Sequence, residues 1–230
     1  MIIDLHSHTR YSFCGKDAPE VLVQEMLRQG VQTLGITDHN YGIFERGGDN
    51  GADYRAEIRA LQKKYADQIK IFCGIEVCTL PQYAPKHTDF STYDYALVEN
   101  LDNDSSVMKG DLIAYTHGFG CPVGIAHTDL FKMIKERGMS ALNVLSSYAK
   151  YGIFWELNVN FDSIHGYREH AYVKEFMQNK EQQELVRQSG LHISIGFDGH
   201  RIEDYDVARV REGNEFLAAH NLPNAVELLK

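Results

Sequence analysis

Seven side chains able to hold a cation recur just beyond short apolar segments: His6 and His8, His39, Glu76, His127, and Asp198 with His200. In an extended strand, residues two apart point the same way, so His6 and His8 leave one strand side by side with Asp4 below them. Two converging imidazoles suit Zn, Fe or Mn. A histidine pair alone is weak evidence, because surface histidines take this spacing without a ligand. The argument is carried by recurrence, with an imidazole or a carboxylate following nearly every later apolar segment. Core packing does not explain such a set, since a buried carboxylate is costly unless it is paired or bound to metal. Nitrogen and oxygen donors favour two or three divalent ions (Zn, Mn or Fe) over a structural Cys₄ zinc. Such ions suit hydrolysis, because they lower the pKa of bound water and neutralise charge on a phosphoryl group.

The elements that must position these residues are legible as an alternation. Predicted strands are the chain start, Leu34 to Thr37, Ile69 to Ile75, Tyr93 to Val98, Pro122 to Ala126, Ile153 to Leu157 and Ile193 to Gly196. Predicted helices open at Pro19 and close at Gly30, run through Ala56, Leu61 and Tyr65, and then fall near Val107 to Thr116, Ser140 to Tyr151, Tyr172 to Ser189 and Val207 to His220. Short apolar strands alternating with helices imply a parallel sheet, and about seven such units fit a closed (β/α) barrel. The loops beyond the strand ends then build the site. No repeat, linker or low-complexity tract divides residues 1–230, which reads as a single domain.

Composition narrows the function. The net charge of −9 argues against a general nucleic-acid binder. No run approaches the ~18 apolar residues of a membrane span, and the N-terminus reads as no signal peptide. Cys14, Cys73, Cys78 and Cys121 form no CxxC pair, which fits reduced thiols in a cytoplasmic protein.

Six stretches in order resemble the PHP (polymerase and histidinol phosphatase) family. They are Asp4-Leu5-His6-Ser7-His8-Thr9, Gly35-Ile36-Thr37-Asp38-His39-Asn40, the strand end at Glu76, Ile125-Ala126-His127, Glu156-Leu157-Asn158 and Gly196-Phe197-Asp198-Gly199-His200. The resemblance implies a distorted seven-stranded, TIM-like barrel and a metal-dependent phosphoesterase. It implies one metal on His6, His8, Glu76 and Asp198. A second is shared through Glu76 and bound by His127, and a third is served by His39 and His200. Two positions depart from the family. Cys14 stands where an Asp or His is usual, with Asp17 as the favoured alternative ligand. Leu101 stands where a histidine is common, with Glu99, Asn100 and Asp102 beside it. Arg168 and Arg201 are the favoured phosphate contacts, ahead of Arg10 and Lys16. The expected activity is hydrolysis of a small phosphate monoester, as by a histidinol-phosphate phosphatase. The alternatives are a phosphodiesterase or 3′-exonuclease, or a metal-binding regulatory domain with reduced catalysis.

Overall fold

The computed structural model describes residues 1–160 and 170–229. Seven parallel strands follow one another in space as in sequence: β1 (Ile3–Asp4), β2 (Thr33–Ile36), β3 (Lys70–Cys78), β4 (Tyr95–Glu99), β5 (Val123–Ile125), β6 (Ile153–Asn158) and β7 (Ile193–Gly196). The ring closes between its ends through Leu5 N to Ile195 O at 2.9 Å, Asp198 N to His6 O at 2.8 Å and His8 N to Gly199 O at 2.9 Å. The predicted barrel is therefore observed, nearly closed, with a two-residue first strand as its irregular edge.

The side-chain period of two explains how the same strands make both core and site. On β3, Ile71, Cys73, Ile75 and Val77 belong to the large core under the helices, whereas Phe72 belongs to a separate cluster inside the barrel with Ile3, Leu5, Tyr95, Leu97, Ala126 and Phe154. Continuing the inward parity brings Phe72 to Glu76, Tyr95 and Leu97 to Glu99, Phe154 to Glu156 and Asn158, and Ser194 to Gly196 and Asp198. The interior is thus aromatic and aliphatic at one end and acidic at the other. Ala225 and Leu229 join the inner cluster, and Asn224 bridges to Ile193 at the start of β7, so the C-terminal segment covers the end opposite the carboxylates.

The helices are α1 (Pro19–Arg28), α2 (Asn40–Arg46), α3 (Ala52–Lys64), α4 (Leu112–Thr116), α5 (Leu130–Glu136), α6 (Ala141–Lys150), α7 (Ala171–Gln178), α8 (Lys180–Ser189) and α9 (Val207–Ala219). Three expectations are corrected. The helix foreseen near Val107 to Thr116 begins only at Leu112, where the Asp111 side chain accepts from Ala114 N. The long helix foreseen over Tyr172 to Ser189 breaks at Asn179, whose side-chain Oδ1 accepts from Glu181 N and Gln182 N and starts α8 afresh. Two short helices, α2 and α5, went unforeseen because each starts directly behind a strand-end motif and lacks a long apolar period. The third strand also runs further than foreseen. Glu76 lies inside β3, opposite Leu97 of β4, and bridges to His39 on its other side.

Candidate metal centre

Two residues of the barrel mouth adopt the left-handed backbone region that side chains other than glycine avoid: His127 at φ 23° and Asp198 at φ 57°. Each is pinned by a hydrogen bond from its own N–H. His127 N donates to Glu156 Oε2 at 2.6 Å, and Asp198 N donates to His6 O at 2.8 Å. Backbone strain held in this way turns both side chains back over the mouth.

Glu76 is the centre of the constellation and is almost fully buried. Its Oε1 lies 3.1 Å from His127 Nε2 and 3.4 Å from His6 Nε2. Its Oε2 lies 2.8 Å from His39 Nδ1 and 3.4 Å from His8 Nε2. Asp198 Oδ1 sits 2.9 Å from His8 Nε2 and 3.5 Å from His6 Nε2. Three groups have ligand atoms close enough to share one ion each: His6, His8 and Asp198; His39, Glu76 and Glu99; and His8, Cys14, His39 and His200. The donor chemistry fits divalent metal. Glu76 Oε2 and His39 Nδ1 approach to 2.8 Å yet lack the alignment of a hydrogen bond, as two lone pairs aimed at one cation would.

The polar frame behind these donors orients the rings and, where the partner can only accept, sets the tautomer of His6 and His200. His6 Nδ1 meets Glu156 Oε1 at 2.7 Å, His8 Nδ1 meets Ser12 Oγ at 3.1 Å, and the His200 Nδ1–H can donate to the Asp198 carbonyl at 2.9 Å. Each contact leaves Nε2 for the mouth, the usual pattern behind a metal-bound imidazole. Gly196 makes room for Glu156, since a Cβ there would overlap its carboxylate. Asp38 ties down the loop after β1 by accepting from Thr9 N at 2.7 Å, Ser12 N at 2.8 Å and the Thr9 hydroxyl at 2.7 Å. Gly15 packs that loop back onto Thr9, whose carbonyl a Cβ would overlap, and so returns Cys14 to the mouth. Asn40 joins α2 to the far end of β3 by accepting from Cys78 N and donating to Tyr83 O, both at 2.8 Å.

Charge follows from this packing. Burial raises the carboxyl of Glu76, but His39, His6 and His127 outweigh it and hold the group well below the carboxylate range. Asp198 behaves likewise, with His6, His8 and His200 overcoming burial. Burial lowers His6, His39 and His127, yet the carboxylates around them win. His127 rises to about 9, mainly through Glu76, while His6 and His39 lie well above an ordinary imidazole. Burial pushes Asp4 up to about 7, although it accepts from His6 N and Phe197 N at 3.1 Å each. Burial raises the Cys14 thiol, and hydrogen bonding to His200 and His39 reverses this to about 7.

The mouth brings His6, His8, His39, Glu76, His127, Asp198 and His200 together. Asp17 does not join them, because its carboxylate accepts from Ile202 N at 2.9 Å, while Cys14 lies in the four-residue group. Leu101 is buried in the core, and Glu99 lies near His39 (3.4 Å) and His127 (3.9 Å) in its stead. Arg201 extends into solvent and pairs with Asp204 at 2.8 Å, and Arg10 pairs with Glu57 at 3.0 Å. Arg168 lies outside the described residues. Sequence reasoning missed Glu156 as the partner of His6. It also missed His170, which is buried, stacks parallel on His127 at 5.7 Å and bonds Asn158 Oδ1 at 2.9 Å. Glu156 had a signal in its inward parity on β6, whereas nothing in the spacing marks His170.

Parallel strands carrying imidazoles and carboxylates at their carboxyl ends define a (β/α) barrel with a metal-type donor set at the face where such barrels place their sites. The PHP domain model matches residues 4–201, and the chain belongs to that family. Among solved structures, it is similar to the zinc, L-histidinol and phosphate complex of histidinol phosphate phosphatase (HisK) from Lactococcus lactis, at 18% identity and a TM-score of 0.64, over 96% of this chain and 94% of that one. A proposed histidinol phosphatase (HisK) from Listeria monocytogenes aligns at 14% identity and a TM-score of 0.43, over 88% of this chain and 96% of that one. A search of the curated proteins finds no match to this sequence. Among the described residues, no helix is long and apolar enough to cross a membrane.

Proposed function

We propose that the protein is a metal-dependent phosphatase acting on a small phosphate monoester, with a substrate similar to histidinol phosphate. The observation that carries this is Glu76, one buried carboxylate reached by four imidazoles from three other strand ends. His6, His8, Glu76 and Asp198 would hold one ion. Glu76, His127 and Glu99 would hold a second, with Glu99 in the place of the family's histidine. His39 and His200 would serve a third. Two or three divalent ions (Zn, Mn or Fe) held there supply a hydroxide nucleophile near neutral pH and offset charge on the phosphoryl oxygens.

The chain's own residues do the rest. Glu156, Ser12 and the Asp198 carbonyl orient the ligand imidazoles, and burial of the mouth keeps their charges strong. A cavity of about 380 Å³ opens beside His127 and is lined by Asp102, Asp129, Lys132, His170 and Tyr172, room for the alcohol part of a small ester. Arg168 and Arg201 are proposed as phosphate contacts, Arg201 by exchanging Asp204 for the ester. Two observations weigh against a regulatory domain without catalysis: both departures from the family pattern are filled by ligand-type residues, Cys14 and Glu99. The acidic balance weighs against a nuclease. The free thiols of the described chain support a reducing compartment, the cytoplasm.

The test is hydrolysis of p-nitrophenyl phosphate and histidinol phosphate after reconstitution with Zn, Mn or Fe. Turnover that a chelator abolishes and His6→Ala removes is expected. Absence of turnover with every metal would overturn the proposal.

A further inference from the structure

We propose that the third ion is held by a thiolate: Cys14, with His39 and His200, forms an N₂S site that selects zinc over manganese or magnesium. The inference rests on the polynuclear centre proposed above.

The observation is geometric. Among the described residues, Cys14, His39 and His200 gather with His8, the bridge to the first ion's ligands, and the four offer ligand atoms all within 4.8 Å of one another. The three ligands come from separate stretches: the loop at Cys14, the residue before α2 at His39 and the loop after β7 at His200. The imidazoles are pre-set as ligands. His200 Nδ1 is taken by the Asp198 carbonyl at 2.9 Å, so buried Nε2 is the nitrogen it offers. His8 and His200 stack at 4.4 Å, and His8 and His39 lie at 4.6 Å, so three rings face one small volume. The thiol enters it because the 9–15 loop is fixed at both ends, by Asp38 at Thr9 and Ser12 and by the close packing of Gly15 on Thr9. Asp17, the oxygen donor that would otherwise complete the group, is spent on Ile202 N.

The chemistry follows from the donor set. Two imidazoles and a thiolate suit a tetrahedral ion such as Zn(II) or Co(II) with one position left open, whereas Mn(II) and Mg(II) prefer oxygen donors and higher coordination. The other two groups each carry carboxylates and lack sulfur. The centre is therefore asymmetric, with one position distinguishing metals that the others share.

The experiment reconstitutes the chelated full chain with Co(II) and records metal content and near-ultraviolet absorption. Wild type is expected to show a thiolate-to-cobalt charge-transfer band. Cys14→Ser is expected to lose the band and one equivalent of metal. Cys14→Asp should regain the metal without the band, and Cys78→Ser and Cys121→Ser should keep both. A fold-independent check uses wild type alone: iodoacetamide should label Cys14 after chelation and spare it after zinc loading. Cobalt bound without the band, or equal labelling in both states, would overturn the thiolate site while leaving the polynuclear centre standing. Absence of cobalt binding to wild type would remove both.

Discussion

Glu156→Gln is the sharpest probe of the centre, because it changes no shape and touches no proposed ligand atom. Glu156 is fully buried and accepts twice, from the His6 ring at Oε1 (2.7 Å) and from His127 N at Oε2 (2.6 Å). An amide cannot satisfy both donors. With its oxygen on His127 N, its NH₂ faces His6 Nδ1 and forces the proton onto Nε2, the nitrogen needed by metal. With its oxygen on His6, its NH₂ opposes the His127 N–H and releases the strained backbone at that residue. Removing such an orienting partner costs about 10–100-fold in metal affinity, or roughly 1.4–2.7 kcal/mol. In the second form the buried His127 N–H is left unpaired, which adds about 1–3 kcal/mol of lost stability. The assay is chelator competition for zinc, alongside thermal unfolding of zinc-loaded and zinc-free protein. The zinc-dependent rise in Tm should shrink relative to wild type. Unchanged zinc affinity in a folded variant would refute the claim that Glu156 sets the His6 tautomer.

Other perturbations follow from the same geometry. Gly196→Ala places a methyl on the Glu156 carboxylate and should mimic Glu156→Gln in zinc competition, although it removes no charge. Asp38→Asn weakens three hydrogen bonds to one charged group and should cost about 2–4 kcal/mol in denaturant unfolding, with metal content falling as the 9–15 loop loosens. Zinc-free protein should show a defined pH dependence. His127 is raised from 6.5 to about 9, so its stabilising pair with Glu76 is complete below 6.5 and is lost as pH rises through 9, a loss of up to roughly 3 kcal/mol. Glu76 and Asp198 are depressed, so their share is present above the carboxylate range and is lost on acidification. Zinc competes with those protons, so the increment it adds to Tm should grow from pH 6.5 to 9; a flat increment would contradict the assignment of the imidazoles as ligands.

Much of this was legible because both periodicity and chemistry are local. His6-Ser7-His8 and Asp198-Gly199-His200 announce themselves by spacing, and the alternation of short apolar strands with helices predicts the barrel. What stayed hidden depends on partners far along the chain. Glu156 matters because His6, 150 residues away, needs an acceptor at Nδ1. Asp17 and Cys14 compete for one role, and the choice turns on Ile202 N, a backbone donor that no residue type reveals. Glu99 was visible only as a neighbour of Leu101, since β4 ends at Glu99 and the turn beyond it carries Leu101 into the core, an end point that the apolar pattern does not mark. Asn179 breaks a continuous helical pattern by capping, a local choice that helix periodicity conceals.

The most direct test is a crystal structure of the zinc-reconstituted protein with anomalous differences recorded at the zinc edge. The account predicts at least two peaks bridged by Glu76, one among His6, His8 and Asp198 and one beside His127. A single peak, or none with Glu76 among its ligands, would contradict it.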